Sequence, residues 1–486
     1  MKKYLYRTAL FAVISVSLYS CVKDEFLNPT SQTSLSDATA FDTKDRIENQ
    51  VKGLYSGLKA GNLFGSRYFI YNDVRAENFL SNDPNRVTAR AAWEFSENAS
   101  DNEVNNLWGA CYTVINRANL FLDGMDTKGD VVAGADAIRF RAEARFVRAT
   151  AYFSLLQFWA MPYADGNGNK PAVPLRLTGI KGGGFNDLAR SSVAEIYTEI
   201  LADLNFAEAN LTATNTTAAL NVTRAHKNTA IAMKVRVYLS MANYASVVTE
   251  ANKIVSASAP FTAATGVPHA LQADIANVFN NYTTTESIFS MPYTTNDAPA
   301  GQSAFGHYYM PNGVGGAAGI FYLNPVGVLA DPLWTATDRR RTSFLMTNGG
   351  KQWLTKFDAP GPFLDWTPVL RYSDVLLSLA EALTRTTNSV DTRAVALLNA
   401  VRNRSDATTT YTPASFANAT ALIDAILQER NIEFLGEGVR SLDILRLMLP
   451  FPGKAIPGFT VAPVSPTNPA YLWPSPSEEV RYNKLF

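Results

Sequence analysis

The sequence has few cysteines and histidines, no net charge, and no hydrophobic run of membrane length after its first twenty residues. Its two cysteines, Cys21 and Cys111, exclude a disulfide framework. We interpret Cys111 as a small buried helix residue rather than a nucleophile. The three histidines lie far apart without metal-ligand spacing. Because these histidines are so far apart, we expect no metal ion. Because 43 basic residues balance 43 acidic ones, we expect no nucleic-acid partner.

The first residues predict an export signal that ends in a lipid anchor. Three basic residues precede a short apolar stretch, residues 8–20, which ends at Cys21. This is the layout of a secretory signal, and its apolar run is too short to span a bilayer as a helix. A cysteine directly after the cleavage site resembles a bacterial lipobox, in which the thiol is acylated. Tyr19 departs from that pattern, so an ordinary signal peptide followed by an incidental cysteine is the alternative.

The sequence divides into three parts. Residues 1–20 are predicted to be the lipoprotein signal peptide. Residues 21–38 are rich in Ser, Thr, Asn and Asp, too polar to fold alone, and are predicted to be a tether. Residues 39–486 show no low-complexity linker and are predicted to form a single domain. Acyl chains on Cys21 would hold that domain at a membrane without a transmembrane helix.

Helical periodicity predicts a mainly α-helical fold. The clearest helix covers residues 136–160, with apolar residues at steps of three and four. At Ser192 and Glu195, a capping box predicts the start of another helix that runs to about residue 209. Other predicted helices are 102–123, 223–240, 244–255, 371–385, 392–404, 422–435 and 439–447. Pairs of predicted helices separated by short breaks indicate stacked helical hairpins. Because no clean repeat of about 34 residues occurs, any relation to tetratricopeptide repeats is degenerate.

Two irregular regions interrupt the helices. Residues 257–368 carry Gly, Pro, Asn and Thr with interspersed aromatics, and residues 62–93 form a second aromatic-bearing loop. A long irregular region inside a compact chain is usually functional or disordered, and the aromatic content favours ordered loops.

The sequence contains no recognisable catalytic motif, but it does not exclude a glycosidase site. No serine lies in a nucleophile elbow, and the three glycines at residues 182–184 lack the lysine and hydroxyl of a phosphate loop. We therefore expect no cofactor. A glycosidase needs only two carboxylates at the right separation, and the sequence leaves such a pair open. The late helices instead carry charges in the pattern of a structural ion-pair network: Glu429, Arg430, Glu433, Glu437, Arg440, Asp443 and Arg446.

Motifs in one collinear order run from Cys21 to the last residues. They are 141–149 with 152–153, 162 with 173–175, 190–197, 223–239, 371–382 with 398–402, 429–443 and 473–483. Together they resemble the SusD/RagB family, whose members are outer-membrane lipoproteins that capture nutrients. Ser475 stands where the family more often has Ile.

The resemblance implies a mainly α fold in which tetratricopeptide-like helical hairpins form a scaffold for a loop-rich ligand-binding half. It implies a lipid-anchored, surface-facing protein of the outer membrane, and as partner a SusC-like TonB-dependent barrel over which the protein lies as a lid. Family ligands are mostly oligosaccharides, and peptides in some members. The leading interpretation is a non-catalytic oligosaccharide-binding lipoprotein. Its alternatives are the same role with peptides, or a surface glycoside hydrolase.

Sugar-binding loops should combine exposed rings with short polar side chains, because sugars present an apolar face and hydroxyl edges. The two irregular regions supply such residues where the family places its ligand-contacting rings, with core packing as the alternative for any single ring. The candidates are Asn82, Asp83, Arg86 and Trp93 in the first loop, and His307, Tyr308, Tyr309 and Phe321 in the central region. Trp334 is a weaker candidate because it lies in what resembles a structural family segment.

Overall fold

The computed structural model describes residues 39–82, 88–299 and 301–486. The predicted signal peptide, Cys21 and the tether lie outside the described residues, and so do Asp83 and Arg86. Within the described ranges, no helix is both long enough and apolar enough to cross a membrane.

Helices dominate the described chain, so the predicted mainly α fold is confirmed. Their bounds are α1 Lys44–Leu58, α2 Arg67–Arg75, α3 Arg90–Glu94, α4 Asn102–Lys128, α5 Gly134–Trp159, α6 Val193–Asn210, α7 Ala218–Thr223, α8 Lys227–Ser240, α9 Tyr244–Ala251, α10 Ala276–Asn280, α11 Phe305–Tyr309, α12 Arg339–Phe344, α13 Tyr372–Thr387, α14 Thr392–Ser405, α15 Ala419–Glu433, α16 Val439–Arg446 and α17 Ser477–Tyr482. Every long helix predicted from periodicity is present. The predicted helix at 223–240 begins at Lys227, because α7 ends at Thr223 and residues 224–226 are not helical.

Successive long helices pack side by side as hairpins. α4 packs on α5, α5 on α6, α6 on α8, α8 on α9, and α9 on α13, which also contacts α14 and α15. The central helix α5 is buried nearly all round after Ala142, because α1, α4 and α6 all pack against it. Ser192 accepts a hydrogen bond from the Glu195 amide at 3.2 Å and donates its own amide to Glu195 at 2.7 Å, so the predicted capping box is confirmed.

Short strands occupy the loops between these helices. Their bounds are β1 Phe79–Ser81, β2 Pro171–Pro174, β3 Arg190–Ser192, β4 Ser287–Met291, β5 Phe321–Leu323, β6 Leu345–Asn348, β7 Lys351–Leu354, β8 Thr367–Arg371, β9 Lys454–Ile456 and β10 Phe459–Val461. In the described residues they form antiparallel pairs: β1 with β5, β2 with β3, β4 with β8, β6 with β7, and β9 with β10. Most of these pairs belong to the loop-rich half.

A buried ion-pair network joins the loop-rich half to the late helices. Arg371, at the end of β8, contacts Glu286 at 2.7 Å, Glu433 at 2.8 Å and Glu437 at 2.8 Å. Arg340 of α12 contacts Glu433 at 3.0 Å. The prediction that the late-helix charges are partnered is confirmed, including Arg430 with Asp443, Arg340 with Glu429, Arg446 with Glu381 and Arg440 with Glu77. The network fixes the base from which the loops extend.

Candidate ligand-binding site

The two loop regions that the sequence singles out meet at one short sheet. Ser81 at the end of β1 is paired with Phe321 at the start of β5. The Asn82 amide donates to the Ile320 carbonyl at 2.8 Å, and the Asn82 side-chain amide donates to the Gly319 carbonyl at 3.0 Å. We call the surface formed here by residues 59–67, 82, 88, 293–299, 301–303, 319–322 and 351 the loop junction.

The four predicted ligand-contacting rings lie beneath this surface. Trp93, Tyr309 and Phe321 are 0% exposed and Tyr308 is 1% exposed. The Trp93 indole donates to the Phe79 carbonyl at 2.8 Å, and the Tyr309 hydroxyl donates to Asp73 at 2.9 Å. The expectation that these rings are exposed is therefore wrong, because α3, β5 and α11, which carry them, turn them into the core. Trp334 is also buried.

These buried rings support the loops from below. The rings of Tyr308 and Phe321 stack with centroids 6.3 Å apart. The Tyr308 carbonyl accepts a hydrogen bond from the Ile320 amide at 3.0 Å. A ring packed in this way positions the loop backbone and offers no face to a ligand.

The predicted polar residues have different positions. Asn82 and His307 are half-buried, and partial burial lowers the pKa of His307. Asn82 accepts a hydrogen bond from the Lys351 ammonium, which lies 4.4 Å from the ring centroid of Tyr322. The structure thus brings Asn82 together with two residues that were not among the predicted site residues.

The sequence around Lys351, the neighbour of Asn82, contains a pattern that predicts a hairpin. It follows Gly349 and Gly350, the two-residue turn of the β6–β7 hairpin, and both glycines have positive φ. Two glycines between short apolar runs are typical of such a hairpin. Reading this turn would have predicted the hairpin, although not its position beside Asn82.

A pocket of about 380 Å³ opens at the loop junction next to the end of α1. Its volume is within the usual range for ligand sites. The Tyr293 ring in its wall is half-buried, and its hydroxyl donates to the Gly65 carbonyl at 2.8 Å. The lining residues are Ser56, Lys59, Gly61, Asn62, Tyr293, Asp297, Ala298, Pro299 and Ser303.

Charge in the pocket comes from one ion pair. Lys59 pairs with Asp297 and lies 4.6 Å from the Tyr293 ring centroid. Partial burial opposes ionisation of Asp297, but hydrogen bonds from Lys59 and Thr294 outweigh it and lower the pKa of this carboxyl. Burial raises the pKa of Tyr293. The pocket therefore presents an ammonium, a carboxylate, an amide and hydroxyl groups.

Gln302 links the pocket to the Asn82 side of the junction. Its carbonyl accepts hydrogen bonds from Arg67 and from the Tyr308 hydroxyl, both at 2.9 Å, and its side chain accepts one from Thr88 at 3.3 Å. Arg67 also donates to Asn62 at 3.1 Å. A chain of hydrogen bonds through Tyr308 and Ile320 thus connects the pocket to the β1–β5 edge.

Glu103 holds the far end of the first loop. It accepts a hydrogen bond from the amide of Ala89, whose φ of 68° is in the left-handed region and is unfavourable for a residue with a side chain. Burial raises the pKa of Glu103 to about 7. A carboxyl that changes its charge near neutral pH therefore lies directly behind the junction.

Two half-buried rings close to the β4–β8 pair were also not predicted as site residues. Trp366 and Tyr282 are in contact, with ring centroids 5.8 Å apart. Trp366 directly precedes Thr367, which is paired with Met291, two residues before Tyr293. These rings therefore lie at the end of the β4–β8 pair from which the pocket loop departs.

Few of the side chains that line the pocket could bind a metal ion or catalyse hydrolysis. Asp297 is the single carboxylate among the residues that line the pocket, whereas glycoside hydrolysis uses two. Across the residues that the structure describes, no three or more His, Cys, Asp or Glu side chains are grouped to hold a metal ion.

Two protein-family models match the chain. One, described as "Starch-binding associating with outer membrane", matches residues 25–239. The other, described as "SusD family", matches residues 364–484. Between them lie residues 240–363, which include most of the loop-rich half.

Individual proteins, both solved structures and curated sequences, are also similar to this chain. The laminarin-binding SusD-like protein shares the fold with a TM-score of 0.70, at 19% identity over 91% of this chain and 98% of that chain. SusD-like protein P25 of Formosa agariphila is 25% identical over 58% of this chain, a match that spans 51% of that protein's own length.

A SusD superfamily protein of Bacteroides fragilis is more similar. It is 30% identical, and the match covers 92% of this chain and 99% of that chain with a TM-score of 0.81. Identity at this level over nearly the whole of both chains, together with the two matching family models, shows that the chain belongs to the SusD/RagB family.

Proposed function

We propose that this protein captures oligosaccharides at the loop junction and passes them to a SusC-like, TonB-dependent transporter of the outer membrane. Acyl chains on Cys21 anchor it there. The observation that carries the proposal is the polar pocket of about 380 Å³, whose wall contains the half-buried ring of Tyr293. The starch-binding description of the matching family model and the laminarin binding of a structural relative support a glycan ligand over a peptide.

The chemistry of the junction suits a sugar. Hydroxyl groups both donate and accept hydrogen bonds, and Lys59, Asn62 and Asp297 supply both kinds of partner within one pocket. The apolar face of a sugar ring stacks on aromatic side chains, for which Trp366 and Tyr293 are half-buried at the same end of the β4–β8 pair.

Isothermal titration of the purified protein with laminarin and with maltooligosaccharides tests the proposal. Tyr293→Ala should reduce affinity for the glycan that binds by roughly fivefold, because a lost stacking contact costs on the order of 1 kcal/mol. Tyr411→Ala is the matched control: this half-buried ring packs on Phe416, outside the loop junction. Equal affinity in the wild type and Tyr293→Ala would place the ligand elsewhere.

The same samples separate binding from hydrolysis. A binding protein leaves the chain length of the added glycan unchanged, whereas a glycoside hydrolase shortens it. The single carboxylate in the pocket lining favours the first result.

A further inference from the structure

Exposed apolar side chains concentrate where two segments of the surface meet. Eleven large hydrophobic side chains are exposed in the described part of the chain. Five of them lie in the loop 176–188 and the C-terminal segment 477–486. These five, which we call the apolar patch, are Leu177, Phe185, Val480, Tyr482 and Leu485, with exposures of 40%, 104%, 53%, 68% and 61%. Clustered exposure of this kind marks an interaction site more often than scattered exposure does.

Hydrogen bonds fix the two segments against each other. The Leu188 amide donates to the Asn483 side chain at 2.9 Å, and that side chain donates back to the Leu188 carbonyl at 2.7 Å. The Lys484 amide donates to Asp187 at 2.8 Å. The apolar side chains are therefore presented by a defined backbone rather than by a frayed chain end.

Phe185 lies at the tip of a projecting turn. It follows three glycines, residues 182–184, and a Cβ atom built on any of them would meet no atom within 4 Å. Asn186 closes the turn by donating to the Gly182 carbonyl at 3.2 Å. Arg176 donates to the Asn186 carbonyl at 2.7 Å. The turn thus carries a fully exposed ring away from the body.

The described chain begins close to this turn. Ala40 and Phe41 line a groove of about 410 Å³ together with Lys181, which is four residues before Phe185. Residues 21–38 therefore join the body on this side. As the tether that the sequence predicts, these 18 residues would span roughly 21–25 Å, so a lipid on Cys21 would keep the turn near the bilayer.

The charge around the apolar patch also favours a bilayer. Residues 176–188 and 477–486 contain four basic and three acidic side chains, whereas the whole chain is neutral. Apolar side chains next to lysine and arginine are typical of protein surfaces that lie in a membrane interface, where the cations contact anionic headgroups.

We propose that the apolar patch rests in the interface of the membrane that holds the anchor, with the Phe185 ring inserted among the lipids. The inference depends on the acylated Cys21 of the proposed function. It adds a second contact, which fixes the orientation of the body above the bilayer.

The full-length, lipidated protein in vesicles of phosphatidylethanolamine and phosphatidylglycerol tests this. Phe185→Cys and, separately, Tyr482→Cys are labelled with an environment-sensitive fluorophore. Cys111 is buried and Cys21 is acylated, so the label reacts with the introduced thiol. In vesicles that contain nitroxide-labelled lipid, both labels should lose most of their emission. Val326→Cys, at a side chain 81% exposed in the loop-rich half, is the matched control and should keep its emission.

Flotation of the vesicles separates the two proposals. Protein that does not float refutes the anchor, and the membrane contact with it. Floating protein whose label at Phe185 or at Tyr482 is as bright as the label at Val326 overturns the membrane contact alone and leaves the anchor in place.

Discussion

At the scale of single residues, the stability of the fold depends on the charges of buried ionisable side chains. Arg371 and Glu433 are almost fully enclosed, and each has several oppositely charged partners. Burial alone opposes ionisation of Glu433, but Arg404, Arg371 and Arg340 outweigh it and hold the pKa of this carboxyl far below its usual range. Such a group stabilises the fold only while all its partners are present.

Glu433→Gln should lower the free energy of unfolding by about 3–5 kcal/mol, because it leaves buried cations without compensation. Thermal unfolding followed by circular dichroism measures the loss. Glu478→Gln, at an exposed position on α17, is the matched control and should unfold like the wild type. A fully stable Glu433→Gln variant would contradict the structural role.

Two stacked histidines add a pH dependence of their own. The rings of His226 and His269 lie 5.4 Å apart and are 0% exposed. Burial, with their mutual repulsion, lowers the pKa of His226 to about 3, and burial lowers that of His269 to about 4. Both are therefore neutral in the folded protein at physiological pH.

Acid should weaken the fold through these rings. Below about pH 6.5 the histidines of the unfolded chain bind protons, whereas those of the folded chain stay neutral. The free energy of unfolding therefore decreases as the pH is lowered from about 6.5 to about 4, by up to about 1.4 kcal/mol per pH unit for each histidine. Urea unfolding at pH 7.5, 6 and 5 should show a flatter pH dependence for His226→Gln than for the wild type. His307→Gln, at a half-buried ring, should change the slope less. Parallel curves for His226→Gln and the wild type would refute this prediction.

At the scale of elements, the candidate site depends on how closely its loops approach. A Cβ atom on Gly61 would lie 2.6 Å from the Ser303 hydroxyl and 2.8 Å from the Ser303 Cβ. The turn after α1 and the loop 301–303 therefore touch at a position where only a glycine fits. This contact sets the width of the pocket between them.

Gly61→Ala should separate these loops and weaken glycan binding while the helices stay folded. Gly53→Ala is a matched control in α1, because its Cβ would meet no atom within 4 Å. Titration calorimetry and circular dichroism together distinguish the effects. Unchanged affinity in Gly61→Ala would show that the loop contact does not shape the site.

Periodicity predicted the scaffold better than the site. The stripe at 136–160 predicted α5 to within two residues at each end, because a helix packed on others must repeat its apolar residues every three or four positions. No such rule applies to loops. Tyr308 and Phe321 lie in irregular sequence yet pack in the core, whereas Trp366 in similar sequence is half-buried. Which side of a loop faces water depends on strand pairs such as β1–β5, whose partners the local sequence does not specify.

At the scale of the whole molecule, we expect attachment and folding to be separable. The described domain has its own core and ion-pair network, and the predicted anchor lies outside it. Cys21→Ala should therefore prevent acylation and leave a folded, detached domain. Detergent phase partitioning measures attachment, and circular dichroism measures folding. A Cys21→Ala variant that still enters the detergent phase like the wild type would contradict the lipid anchor.

The pairing of β1 with β5 has a consequence for how the protein acquires its function. Asn82 and Gly319, which meet at this pair, are 237 residues apart in the sequence. Neighbouring helices close short loops and can form early, whereas a contact over this separation has a larger entropic cost and forms late. The loop junction can thus be completed only after the chain has been made at least as far as Gly319, so a protein truncated before that residue would lack this pair.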